Sequence, residues 1–189
     1  MAQKRKDWNG LISGFKASDL VFLDESGCNT DMTRRYAYSL GGSRAVDSTP
    51  LSKPKNTTIL SSIQLDGTLR YTTFSGGTTV ERFKRYLETD LLPHLNGNSI
   101  LIMDNMKSHH AKAVRNLLDS SGIRYIYLPP YSPDLNPIEK LWSKVKAFFR
   151  KFKARTLDAL PNTMQCAFQT VSPSDCSGWF HSCGYSPYF

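Results

Sequence analysis

The segment Leu128-Pro129-Pro130-Tyr131-Ser132-Pro133-Asp134-Leu135-Asn136-Pro137-Ile138-Glu139 limits the fold more than any other. Four of the nine residues from Pro129 to Pro137 are proline. Proline lacks the backbone N–H and fixes φ near −65°, so this segment is neither a helix nor a central strand. Before it, Ile123 to Leu128 reads as a strand. After it, Asn136 suits a helix cap, Pro137 the first helical position and Glu139 the first turn. The helix that follows is expected to bury Ile138, Leu141, Trp142, Val145, Phe148, Phe149 and Phe152, at spacings of three and four. Its other side carries Lys140, Lys144, Lys146, Arg150, Lys151 and Lys153.

Upstream, Leu20-Val21-Phe22-Leu23 is a short apolar run that ends on Asp24, the mark of a buried strand delivering an acid. Tyr36 to Leu40 alternates before Gly41-Gly42 and predicts a second strand and a turn. Thr57 to Gln64 is rich in β-branched residues, Asp66-Gly67 is a hairpin signal, and Leu69 to Phe74 is the returning strand. Val80, Phe83, Leu87 and Leu91 then recur at helical spacing behind a Thr79 cap, with an irregular end at Pro93. Ser99 to Met103 is another buried strand, ending on Asp104. A short helix carrying Ala111, Val114, Leu117 and Leu118 stops at Gly122. With the strand from Ile123 this makes a parallel strand–helix–strand unit. A helix from Thr156 to about Thr170, interrupted near Pro161, a short helix over Ser174–Ser182 and an ordered tail complete the chain. Residues 1–18 read as a solvated basic linker or the remnant of something preceding, and 19–189 as one domain. The predicted architecture is α/β. A mixed sheet of three antiparallel strands followed by parallel strands carries helices on both faces, the order a ribonuclease H-like fold requires.

The 189 residues suffice for one domain with a real core, and a hydrophobic content of 40% fits a folded protein. A net charge of +8 and a pI near 9.4 point to a polyanionic partner, of which nucleic acid is the commonest. No apolar run approaches the ~20 residues of a membrane span, and the basic start is not followed by the apolar stretch of a secretory signal. The scattered Cys28, Cys166, Cys176 and Cys183 then read as reduced thiols of a cytoplasmic protein.

Asp24 and Asp104 both end apolar strands. If those strands are neighbours, the carboxylates leave the same edge of the sheet and repel each other unless a cation neutralises them. A hard divalent ion with oxygen ligands, Mg²⁺ or Mn²⁺, suits such a site. Glu139, with 34 residues between it and Asp104, can complete a site for two ions about 3.5–4 Å apart. Structural readings stand beside these. A strand-end aspartate is commonly a turn residue, and Asn136-x-x-Glu139 is also a capping-box pattern favoured by the helix dipole. Asn105 can orient a phosphate or a metal-bound water, or be half of a plain turn pair. Glu139, Ser143, Lys146 and Arg150 fall along one line of their helix, which brings cations to where a phosphate backbone would arrive. Lys140 and Lys144 on the same helix, and less strongly Arg34, Arg35 and Arg44, are further backbone candidates. The spacing of Cys176, His181 and Cys183 matches no common zinc pattern. Ser26 has no base arranged for it in sequence.

Val21-Phe22-Leu23-Asp24-Glu25-Ser26-Gly27, Leu101-Ile102-Met103-Asp104-Asn105 and the block from Leu128 to Trp142 resemble the three signature blocks of a DDE transposase. Within that group they are most similar to the bacterial insertion sequence 630 family of the mariner superfamily. The resemblance runs from about Asp19 to near Tyr185. It implies a ribonuclease H-like catalytic domain with Asp24, Asp104 and Glu139 as metal-binding catalytic triad and Mg²⁺ (or Mn²⁺) as cofactor. It also implies hydrolysis of a phosphodiester at transposon ends, 3′-OH strand transfer into TA sites, and a dimer or larger assembly on DNA. His109 takes the place of the histidine in the family's Asp-Asn-x-x-x-His pattern. Full-length members carry N-terminal helix-turn-helix domains; this chain starts about twenty residues before Asp24. It therefore reads as the catalytic part alone, from a split reading frame, a truncated copy or a deliberately shortened chain. A companion chain could supply end recognition, and the expected location is the bacterial cytoplasm, on the nucleoid. Two other readings remain open: a non-catalytic remnant that binds DNA or a partner, and a general ribonuclease H-like nuclease.

Overall fold

The computed structural model describes residues 2–34, 36–48, 50 and 56–185. Strand β1 (Leu20–Cys28) lies at the centre of its sheet. Leu20 to Leu23 are all buried, as an apolar run covered on both faces requires. On one edge β1 pairs antiparallel with β2 (Thr57–Gln64), from Val21↔Gln64 to Cys28↔Thr57. On the other it pairs parallel with β4 (Ile100–Met103), from Leu20↔Ile100 to Leu23↔Met103. Strand β3 (Leu69–Ser75) extends the antiparallel half and β5 (Arg124–Tyr127) the parallel half, giving the order β3-β2-β1-β4-β5.

Strand alternation divides the core in two. Phe22, Ile59, Ile63 and Ile102 face a cluster closed by α4 (Ile138–Phe152), α5 (Ala159–Gln169), α6 (Pro173–Ser182) and, through Trp8, α1 (Ala2–Ile12). Val21, Leu23, Leu60, Leu101 and Met103 face the other cluster, closed by α2 (Val80–Tyr86), its continuation to Leu91, and α3 (Lys112–Ser121). Helices therefore cover both faces, as expected. The Thr79 side chain caps α2 by accepting the Arg82 N–H at 3.3 Å. Gly122 ends α3 at φ 70. In the β2–β3 hairpin Gly67 has φ +90, and a Cβ there would meet Pro173 Cα at 3.0 Å, so both backbone and space call for glycine.

The structure corrects several expectations. Tyr36 to Leu40 is not a strand; Tyr36, Tyr38 and Leu40 are exposed in an irregular loop. Its alternation has no place to act, because β2 and β4 occupy both edges of β1. Strand β1 does not end at Asp24 but runs on to Cys28, since β2 pairs with its whole length. The amino-terminal segment is helical and not solvated throughout. Trp8 is buried, its indole N–H donates to the Tyr185 hydroxyl at 3.3 Å, and Arg5 pairs with Asp134. Pro161 does not interrupt α5, for it sits in the first turn, where no intrahelical N–H bond is lost. Phe152 is 55% exposed and stacks on Phe148 at 4.2 Å, so the apolar stripe of α4 outruns the core at its last turn. Of the tail expected after α6, residues beyond Tyr185 lie outside the described ones, as does Arg35. No helix among the described residues is long and apolar enough to cross a membrane.

Candidate active site

The β1–β4 ladder ends on Leu23↔Met103. One residue further lie Asp24, on the face of β1 that α4 covers, and Asp104, the first residue after β4, and both carboxylates line the same cleft. Asp24 is only 6% exposed. Its Oδ1 accepts the Glu25 N–H at 2.7 Å. Its Oδ2 accepts the Trp142 indole N–H at 3.2 Å and the Asn136 side-chain amide at 3.4 Å. Burial pushes the Asp24 carboxyl up to about 7. The charges of Asp104 and Glu139 add to the rise, and the Glu25 and Trp142 N–H groups oppose it.

Asp104 is held by its own segment. Its Oδ1 accepts the Met106 N–H at 3.0 Å and lies 2.7 Å from His109 Nδ1. Burial acts to raise its pKa, but the His109 and Met106 hydrogen bonds outweigh that and hold it below the usual carboxylate range. His109 is fully buried, stacked on Phe83 at 4.2 Å, and its backbone carbonyl accepts the Tyr127 hydroxyl at 3.0 Å. The sequence therefore put His109 near the site, and the fold sets it behind Asp104, facing away from the cleft's solvent. Asn105 lines the cleft, but its amide donates to the Leu128 carbonyl and its Oδ1 meets His110 Nε2 at 3.3 Å. The Leu128 bond ties the ends of β4 and β5 together, and the His110 contact holds Asn105 within its own segment.

Glu139 is exposed in the first turn of α4 and completes the rim. The backbone start agrees with the sequence: Asn136 is extended, Pro137 is helical, and the Glu139 N–H reaches the Asn136 carbonyl at 3.1 Å. The capping box does not form, because the Asn136 side chain turns inward to Asp24 and leaves the helix N–H groups uncapped. Asp24, Asp104 and Glu139 all line one open cleft of about 640 Å³, walled by the proline segment from Pro129 to Pro133. Tyr131 stands 88% exposed in that wall at φ 55. Among the described residues no three Asp, Glu, His or Cys side chains converge into a closed ligand set. Asp24 Oδ2 is turned to Trp142 and Asn136, and Asp104 Oδ1 to His109. The donors are nonetheless all carboxylate oxygens that act on one another's charge, which suits a hard divalent cation.

The cations of α4 part into two groups. Lys146 and Arg150 follow Glu139 along one line, and Arg150 lines a second cleft with Arg34, of about 770 Å³. Lys144, which the sequence grouped with them, pairs with Asp175 of α6 at 2.6 Å, and Lys140 is exposed beside Glu139. Sequence reasoning treated Trp142 as core and Asn136 as a cap, and missed their bonds to Asp24. The available signal was position: Trp142 lies three residues after Glu139, on the neighbouring flank of the helix.

A mixed sheet of this order, with one acid on β1, a second just past its parallel neighbour β4 and a third at the start of the helix on that face, defines a ribonuclease H-like fold. Residues 19–161, a span that holds all three acids, match the DDE superfamily endonuclease family, and the chain belongs to it. Over 97 residues it is 26% identical to the Tc1 transposase of Caenorhabditis elegans, covering 49% of this chain and 36% of that protein. The Mos1 transposase paired-end complex with left transposon end superposes with a TM-score of 0.81 at 19% identity, over 95% of this chain and 57% of that one. The catalytic domain of Mos1 mariner transposase gives 0.69 at 17% identity, over 96% of this chain and 86% of that one. The chain thus spans little more than a third of the Tc1 protein and just over half of the Mos1 chain. Its relatives are of Tc1/mariner type.

Proposed function

We propose that this chain is the catalytic part of a DDE transposase of the insertion sequence 630 branch. It hydrolyses a phosphodiester at a transposon end and passes the freed 3′-OH into target DNA at TA sites. The observation that carries this reading is the alignment of Asp24 and Asp104 one residue past Leu23↔Met103, with Glu139 on the rim of the same cleft. The three carboxylates are the residues that would hold Mg²⁺ or Mn²⁺, and Mos1 structures with each of these metals support that choice. Bound there, the cations would offset the negative charge that builds on the attacked phosphodiester.

The chain's own residues do the remaining work. The open cleft admits a DNA backbone, and Lys146 and Arg150 continue from Glu139 as a basic row for the adjoining phosphates. His109 keeps Asp104 ionised and aimed. In the first step water attacks phosphorus, and the P–O3′ bond breaks to release a 3′-OH. In the second that hydroxyl attacks a target phosphodiester, one ester bond replacing another. Mos1 complexes with transposon-end DNA support DNA as the partner, and an assembly of two or more copies fits the two ends of an element. Recognition of the end sequence falls to another segment or a companion chain, with the cytoplasmic nucleoid as the place of action.

The test is nicking of a transposon-end duplex in Mg²⁺ or Mn²⁺ by the wild type and by Asp24→Ala, Asp104→Ala and Glu139→Ala. Cleavage is expected to fall to background in each variant while circular dichroism and melting show an intact fold. Undiminished cleavage in any folded variant would overturn the assignment, and preferential cutting of RNA–DNA hybrids would favour a general nuclease instead.

A further inference from the structure

We infer that Asn136 and Trp142 are positioning residues that tether the Asp24 carboxylate to the start of α4, so one element sets both Asp24 and Glu139 for the cation. This rests on the reading above, and goes further by assigning residues that touch neither DNA nor cation.

Both donors reach the same oxygen, Asp24 Oδ2, at 3.2 Å from Trp142 Nε1 and 3.4 Å from Asn136 Nδ2. All three residues are buried, and the donors lie 112 and 118 positions away in sequence. A buried carboxylate needs donors, but a local turn would have served that need without reaching across the fold. Asn136 meanwhile forgoes the ordinary use of an asparagine at a helix start. Its Oδ1 has no partner, although the first N–H groups of α4 are uncapped nearby. With Asp24 ionised, as a cation ligand must be, the amide cannot flip to relieve this, because Oδ1 would then face the carboxylate. The side chain is thus committed to Asp24 at the expense of the helix end.

Trp142 combines the donor with a large apolar body packed in the core cluster shared with Ile138 and Val145, so its N–H is held rigidly. It lies one turn beyond Glu139 on α4. A shift of α4 that moved Glu139 would therefore drag Oδ2 of Asp24 with it. Asp104 is supported separately, by His109 and Met106 from its own strand end. Neither Asn136 nor Trp142 titrates, so the tether has the same form wherever Asp24 is ionised.

The experiment has two readouts that need no DNA cleavage. First, with ¹⁵N-labelled tryptophan, the three indole N–H signals of the chain are compared between wild type and Asp24→Ala. The Trp142 proton is expected to move upfield when its acceptor is removed, and an unmoved signal would overturn the tether. Second, Mn²⁺ is titrated calorimetrically into the wild type, Asn136→Ala, Trp142→Phe and Phe149→Leu, the last a core change on α4 that leaves the tether intact. Loss of partners that orient a ligand typically costs 10–100-fold in metal affinity, so Asn136→Ala and Trp142→Phe are expected to weaken Mn²⁺ at least about tenfold. Phe149→Leu is expected to lower the melting temperature and leave Mn²⁺ affinity in place. Unchanged affinity in the two tether variants, or an equal loss in Phe149→Leu, would overturn the positioning role alone. Absence of Mn²⁺ binding by the wild type would overturn the cation site and this inference with it.

Discussion

Asp24 and Asp104 are neighbours whose surroundings pull their protons in opposite directions. Asp24 is deeply buried and feels two other carboxylates, so its pKa rises to about 7, whereas Asp104 is drawn below the usual range by His109 and Met106. The sign for stability follows. Between about pH 4 and 7 the cation-free folded chain keeps a proton on Asp24 that the unfolded chain has released. Folding then binds more protons than unfolding, so the Asp24 contribution declines as pH rises through that window. A rise of about three units corresponds to at most about 4 kcal/mol. Asp104 contributes oppositely: its stabilisation is present above the ordinary carboxylate pKa and fades as pH falls through the lowered one. Urea denaturation in EDTA at pH 5 and pH 8 checks the first statement. The wild type is expected to lose more stability across that interval than Asp24→Asn, which keeps the shape without the titration. Equal losses in the two proteins would show that Asp24 carries no such proton.

Helix α1 illustrates how an element can be illegible in the sequence and still support the site. Its residues are mostly polar, and only Trp8 marks a buried face. Trp8 donates to Tyr185, the Tyr185 hydroxyl donates to the Leu135 carbonyl at 2.6 Å, and Arg5 pairs with Asp134. These contacts pin the proline wall of the cleft from behind. Trp8→Ala is expected to destabilise the chain by about 3–5 kcal/mol, the usual cost of emptying a buried tryptophan site, measured by urea denaturation. A loss below about 1 kcal/mol would mean that α1 is not docked in solution. That Asp24, Asp104 and Glu139 would come to one cleft was legible because each ends an apolar run or opens an amphipathic helix, and those patterns are local. The mixed character of the sheet was legible from the hairpin signal and the strand–helix–strand pattern, whereas the order that sets β4 beside β1 came only with the fold. Tyr36–Leu40 misled because alternation reports a capacity to pair, while the vacancy beside β1 was decided by β2, more than fifteen residues later in the chain. Asn136 misled because a cap and a long-range donor present the same residue at the same position, and only the fold decides where the amide points.

At the scale of the molecule, the +8 charge matters through where it is free to act. Lys144 is committed to Asp175 and Lys153 to Asp47, so neither offers a full charge to a polyanion. Lys146 and Arg150 form no ion pair among the described residues and lie in line with Glu139, toward the second cleft where Arg34 also stands. A backbone following that line would release counterions at these two positions and not at Lys144. Each phosphate neutralised on duplex DNA adds about 0.9 to the slope of log affinity against log salt. The Lys146→Ala, Arg150→Ala double variant is therefore expected to bind duplex DNA more weakly and to lower the magnitude of that slope by about 1–2. Lys144→Ala is expected to leave the slope where it was, while losing some thermal stability with its Asp175 partner. Fluorescence anisotropy of a labelled duplex over a salt series measures both quantities. An unchanged slope in the double variant, or a reduction as large in Lys144→Ala, would mean that the DNA path does not follow the Glu139 row. The basic row would then be a solvated flank of α4, and the charge that meets DNA would have to be sought elsewhere on the molecule.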